Sequence, residues 1–309
     1  IYDKLKRYAE SAYHLEASAR IDHAKQSDFQ VLPDTIHNYA HNNEWLVRNW
    51  NHVGRADDAI IMSKGLIDNP QHPRLNHFGK GYCSASFGRK RLTETLERFE
   101  KWNEILQLSK THYLEPTQND KLQLNRLLLM SRAHFELGDK DSLIGVSNQI
   151  RERIDKAEQL KKKKKDEARQ KAEKEKKNKE ETDKIVKEAG KTSDDQLKYL
   201  RPAIEEINVC LDLLNGEKLN EERAKKIKRK KISLAMLHLK YGDPNKAKEL
   251  SGQAVNENQN RTVPLAVRIH VLEKTGDQSA ASMEFSKLEK ISAHIQLNAA
   301  PFSRLLPVA

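Results

Sequence analysis

Tyr241-Gly242-Asp243 followed by Ala247, and Thr275-Gly276-Asp277 followed by Ala280 and Ala281, are one phrase written twice, with the two glycines 34 residues apart. A fixed period of this length marks an array of units, each too small to bury its apolar face alone. The glycine permits a left-handed backbone at a helix end, and the small alanine about five residues on lets two antiparallel helices approach closely. The phrase recurs from Gly54 to Ile60, in a segment that Asn69-Pro70 ends, because proline disfavours helix in the residue before it. Leu137-Gly138-Asp139, after the apolar run from Leu122 to Phe135, is a further copy, and Phe99-Glu100-Lys101-Trp102 is the same turn without its glycine. Five helical hairpins are therefore expected.

The rest of the chain agrees with this reading. Among 309 residues there are only 12 Gly and 9 Pro, while 33% are charged, which argues for helix and against a turn-rich β protein. Leu5, Tyr8, Ala12, Leu15 and Ala19 recur at spacings of three and four, predicting a helix over 3–24. Asp34 or Thr35 is the expected N-cap of a second helix, which carries Tyr39, Trp45, Leu46, Val47 and Trp50 and stops near Gly54, with Trp45 and Trp50 read as core. From Arg151 to Lys191 the composition changes to Lys, Glu, Ala and Gln without an apolar seam. That segment is expected to be a solvated helix or partly disordered, either a lone spike or an arm paired with Glu217 to Lys231. Leu197, Leu200, Ile204, Ile207, Leu211 and Leu214 then restore helical periodicity. The predicted fold is all-α: stacked antiparallel hairpins over 1–150, a charged helix or linker over 151–194, and further hairpins over 195–309.

The phrase from Gly54 to Ile60 with Pro70, Gly138-Asp139, and the pair at Gly242 and Gly276 resemble tetratricopeptide repeats in degenerate form. The Gly138 copy carries Leu143 where alanine is expected, and the Gly242 copy lacks the closing proline. The resemblance implies a superhelix whose concave surface binds a protein or peptide. A narrower likeness is carried by His37 to Trp45, Asn69 to Pro73, Phe87 to Leu92 and the tail from Ile295 to Ala309. These stretches are similar to the helical-repeat region that precedes a redoxin domain in some bacterial proteins. This likeness implies an adaptor role and a chain that continues past Ala309 into a domain with the reactive cysteine, so that no peroxidase or thiol–disulfide role falls on any residue here.

Signatures of ordinary enzymes are missing. The two cysteines, Cys83 and Cys210, stand far apart with no CxxC, which excludes a disulfide framework and a cysteine-based zinc site within the chain. There is no glycine-rich phosphate loop and no GxSxG, so the chain reads as non-catalytic and no cofactor is called for. His37, His41 and Glu44, at spacings of four and three, would share one helix face, with His23 or His52 available as a further ligand; this is the alternative reading, a metal-dependent or redox-linked site. Asn38 stands where a zincin would need Glu. The loop from Asn69 to Phe87, with His72, His77, Tyr82 and Cys83, is long enough to bind something, and Arg89 and Arg91 could meet an anion at the following helix start. For the main reading, Asn42, Asn43, Arg48, Asn49 and Arg89 are the expected partner contacts.

The net charge of +11 raises nucleic acid as a second alternative. Residues 151–191 hold 17 basic residues, but 11 acids are interleaved with them and no aromatic residue offers base stacking, so a solvated face is the better reading. No stretch approaches the ~20 apolar residues of a membrane helix, and there is no signal-peptide pattern, so a soluble chain is expected, its compartment and oligomeric state open.

Overall fold

The fourteen helices of the computed structural model, described here for residues 1–306, take up 73% of the chain, with no strand among the described residues. In chain order they are α1 (Tyr8–Phe29), α2 (Tyr39–Val53), α3 (Ala56–Asp68), α4 (Ser84–Arg98), α5 (Trp102–Leu108), α6 (Asp120–Glu136), α7 (Lys140–Lys174), α8 (Lys179–Leu214), α9 (Glu221–Lys226), α10 (Lys231–Tyr241), α11 (Pro244–Glu257), α12 (Thr262–Lys274), α13 (Gln278–Glu289) and α14 (Ala300–Ser303). The expected all-α fold is therefore observed. The last three residues of the redoxin-like tail, 307–309, lie outside the described residues.

Chain contacts divide the molecule into two compact units, Ile1–Glu115 with Arg229–Ala309, and Pro116–Lys228. This division differs from 1–150, 151–194 and 195–309, because the charged insert runs from α7 through the turn into α8, the helix that also carries the restored periodicity after Leu197, and because the first and last hairpins pack together.

In the first unit neighbouring helices pair along the chain, α1 with α2, α2 with α3, α3 with α4, and later α10 with α11, α11 with α12 and α12 with α13. Alternate helices also touch, α2 with α4 and α10 with α12, so each hairpin is laid against the next. The turn phrases work through their small residues. Ala59 and Ala247 are fully buried and Ala281 nearly so. Gly54 ends α2 at a φ of +92°, and a Cβ there would sit 3.1 Å from both Ile295 and Phe302, so this position needs glycine twice over. Glu100, in the turn that lacks glycine, takes a φ of +56° and is held by Arg304. Gly242 is different: its φ is −136°, and Asp243 caps α11 by accepting from Asn245 N at 2.8 Å.

Two helix starts depart from expectation. The first helix begins at Tyr8 and runs to Phe29, because Lys6 interrupts the backbone at a φ of +59°. The second begins at Tyr39, after a single 3₁₀ turn over Pro33–Thr35. Asp34 caps another helix: it accepts hydrogen bonds from the backbone N and the hydroxyl of Ser84, each at 2.9 Å, where α4 begins. At Gly88 a Cβ would lie 2.7 Å from the carbonyl oxygen of Ser63, so glycine lets α4 close onto α3.

In the second unit α7 and α8, of 35 and 36 residues, form a long antiparallel pair spanning ~52 Å at ~1.5 Å per residue. The charged insert is thus neither a lone spike nor partnered by Glu217 to Lys231; it turns back on itself, its α7 part packing on α8. The turn between the two helices has Lys176 at a φ of +52° and a reciprocal cap between Asn178 and Glu181. Near the other end the seam is apolar, with Leu143, Ile150, Leu197, Leu200 and Ile207 buried. Toward the turn it narrows to Ala157, Ala172, Gly190 and Ser193, with the Lys165 stem lying over Gly190.

Candidate functional site

Helix α2 presents His41, Trp45, Arg48 and His52 at spacings of four, three and four, a single stripe along one face. The parallel stripe on α4 is Phe87, Arg91, Glu94 and Arg98. At their N-terminal ends the two stripes meet in an aromatic cluster: the His41 ring lies 5.1 Å from Phe87, 6.1 Å from Trp45 and 6.2 Å from Tyr82. Trp45 is 46% exposed and Tyr82, at a φ of +62° just before α4, is 80% exposed. Trp45 is therefore not core, because Leu46, Val47, Trp50 and Val53 turn the buried face of α2 the other way. Arg48 sits over the Trp45 ring at 5.8 Å.

Beyond the rings the same face becomes charged, and toward the C-terminal ends cationic. Glu44, buried, accepts from Arg91, which also reaches Glu94, and Glu94 in turn accepts from Arg98 at 2.8 Å. Burial alone would raise the Glu94 carboxyl, but Arg98, Arg91 and Lys230 overcome it and hold it down at about 2. His52 is buried against Tyr8, ring to ring at 4.5 Å, and its backbone oxygen accepts from Thr262 Oγ1 at 3.1 Å. Burial, together with Arg98, Arg261, Arg48 and Arg91, pushes its pKa far below the usual imidazole value, so it stays neutral. Arg261, at the N-cap of α12, donates to Asn258 Oδ1 at 2.5 Å and to Tyr8 Oη at 3.4 Å, and no carboxylate among the described residues pairs with it. The Nε atoms of Arg48 and Arg98 are buried with no acceptor.

The expected contact residues fall in different places. Arg48 lies on this face, where its other partner is Asp3 at 3.0 Å. Asn42 turns toward α1, donating to Ser18 Oγ and Asp22 Oδ2 at 2.9 Å each. Asn43 and Asn49 are buried and donate back to the carbonyls of Tyr39 and Trp45. Arg89 is spent on the carbonyls of Tyr113 and His112, and lies over the Phe78 ring at 3.6 Å.

His37, His41 and Glu44 do not converge. His37 is exposed in the turn before α2, His41 stacks among aromatic rings, and the Glu44 carboxylate is taken by Arg91. Among the described residues no group of three His, Cys, Asp or Glu side chains is placed to hold a metal ion. The loop before α4 is pinned by Asn76, buried, which donates to Pro70 O at 3.0 Å and accepts from Ala85 N at 2.8 Å. Cys83 is the buried N-cap of α4, its thiol facing the carbonyl oxygens of His77 and Lys80. Arg91, offered as an anion contact, is enclosed by Glu44 and Glu94.

The sequence reading missed Tyr82 as a partner of His41, and it missed Arg98 and Arg261 altogether. Spacing could have found Arg98, four residues after Glu94 and seven after Arg91; nothing local signals Arg261, which arrives from more than 160 residues away. No helix among the described residues is long and apolar enough to cross a membrane. No protein-family model matches the chain, no curated protein is similar to it in sequence, and no solved structure matches its fold.

Proposed function

We propose that the chain is a non-catalytic, tetratricopeptide-like scaffold that binds a protein or peptide partner through the joint face of α2 and α4. The observation that carries this reading is the exposure of Trp45 and Tyr82, each against the ring of His41. Large aromatic side chains left in water while neighbouring leucines are buried are what a binding surface offers, because each removes much apolar area from water at little conformational cost. The 34-residue recurrence of the turn phrase supports the scaffold part of the reading. The test is panning of a random dodecapeptide phage library on the full chain. Enrichment that disappears with Trp45→Ala is the expected result, and a library that yields no enriched peptide, or enrichment indifferent to that substitution, would overturn the reading.

A further inference from the structure

The face shared by α2 and α4 changes character along its length, and the order of that change restricts what can lie on it. At the N-terminal ends it is aromatic, with the His41 ring against those of Trp45, Tyr82 and Phe87, and Tyr82 against Phe87. Beside the rings Arg91 pairs with Glu44, with Lys90 3.8 Å from the same carboxylate; farther along, the face gathers Arg48, Arg98 and Arg261, with Lys230 3.9 Å from Glu94. The carboxylates interleaved with these cations are Asp3, Glu44 and Glu94. The least matched of these cations is Arg261, with no carboxylate partner among the described residues; Arg98 gives one hydrogen bond to Glu94 while its buried Nε has no acceptor. A partly desolvated guanidinium with incomplete charge pairing is costly, and a carboxylate brought by a ligand would lower that cost. Basic groups in a last helical turn commonly answer the helix dipole. That explanation does not reach Arg261, which sits at a helix start, where a cation is disfavoured.

Building on the scaffold reading above, we propose that this face docks an extended acidic segment of a protein partner, an aromatic or proline side chain lying on Trp45 and Tyr82 and a carboxylate pair seated at Arg98 and Arg261. The spacing follows from the helix. From the middle of the aromatic stripe to His52 is about nine residues of α2, or ~14 Å at ~1.5 Å per residue. An extended chain covers that distance in about four residues at ~3.4 Å each. The preferred segment thus carries its apolar anchor about four positions from its acidic pair. Trp45 holds the anchor by area, and the arginines hold the carboxylates by charge-assisted hydrogen bonds, a division that sets register as well as affinity.

The probe is a fluorescein-labelled dodecapeptide of Gly and Ser carrying one Phe four positions before a Glu-Glu pair, titrated onto the full chain by fluorescence anisotropy. Binding should weaken about tenfold when both Glu are replaced by Gln in the peptide, a comparison that leaves the protein unchanged. It should weaken about fivefold or more with Arg261→Gln or with Trp45→Ala, while the helical circular dichroism of both variants stays that of the parent. No binding of the probe, or binding that ignores the Glu to Gln change and both variants, would overturn the proposal. So would a polyuridylate competitor displacing the probe equally well from the Trp45→Ala variant, which would favour a nucleic acid on another surface. Phage-selected peptides that depend on Trp45 but carry no acidic residue would sink the acidic-segment proposal and leave the scaffold reading standing, whereas a library with no enrichment would remove both.

Discussion

The long pair α7 and α8 spreads its ion pairs along its outside, whereas the unit built from α1–α5 and α10–α14 folds arginines and carboxylates into the packing between shorter helices. Lys184–Glu180 and Arg201–Glu158 keep about half or more of each side chain in water, while Arg91–Glu44 retains only 7% and 5%. Exposed pairs of the first kind contribute little, since each charge gives up modest solvation for a modest attraction. A buried pair is different: once its surroundings have closed, removing one partner strands the other. A high count of charged residues therefore says little about where charge has consequences. The Lys-rich segment is the most basic part of the sequence, yet its charges are largely solvated; the smaller group around Arg98 and Arg261 sits where burial makes an unmatched donor costly.

The largest expected effect lies in the core of the first unit. Phe99 is fully buried and its ring lies 6.3 Å from that of Phe302, so Phe99→Ala should cost about 3–5 kcal/mol. Trp45, Trp50 and Trp102 all belong to this unit, so tryptophan fluorescence during urea unfolding reads that loss directly. In the second unit the buried exception is Glu206, which accepts from Arg132 Nε at 2.9 Å and from Lys228 N at 3.1 Å. Glu206→Ala should cost about 3 kcal/mol, seen in the loss of helical ellipticity on urea unfolding, and a cost below about 0.5 kcal/mol would place this pair with the exposed ones.

A pH scan separates the units next. His52 and His270 both have folded-state pKa values below the unfolded value of about 6.5, His270 at about 4, each held down first by burial and then by nearby cations. The unfolded chain therefore takes up protons that the folded chain refuses, and stability of the first unit should fall as pH drops below about 6.5. The unfolding free energy, read by fluorescence in urea at pH 7 and pH 5, should fall by about 2 kcal/mol less in His52→Gln than in the parent. An unchanged slope would show that His52 is not among the acid-sensitive groups. The smallest effect belongs to the surface of the hairpin: Lys184→Ala should change stability by less than about 0.5 kcal/mol in a thermal melt.

The turns of this fold were legible because glycine and a small alanine have few other reasons to recur together. Gly54, Gly138 and Gly276 do take positive φ, and Ala59, Ala247 and Ala281 are buried beside their turns. The pairing of α7 with α8 was not legible, because its outer half packs through Ala172, Gly190 and lysine stems that a hydrophobic pattern does not register. Of the candidate site, Arg48 could be read from residue type. Trp45 was misassigned to the core because an apolar identity does not by itself fix a helix face; the phase set by Leu46, Val47, Trp50 and Val53 does. The asparagines were read as contacts because they are polar, yet Asn43 and Asn49 satisfy their own helix within the packing.

Hydrogen–deuterium exchange of the full chain, with and without a saturating peptide selected by panning, tests the central claim most directly. Added protection is expected in Tyr39–Val53 and in 82–98, with Lys140–Leu214 unchanged. Protection confined to α7 and α8, or a bound peptide that protects neither α2 nor α4, would contradict it.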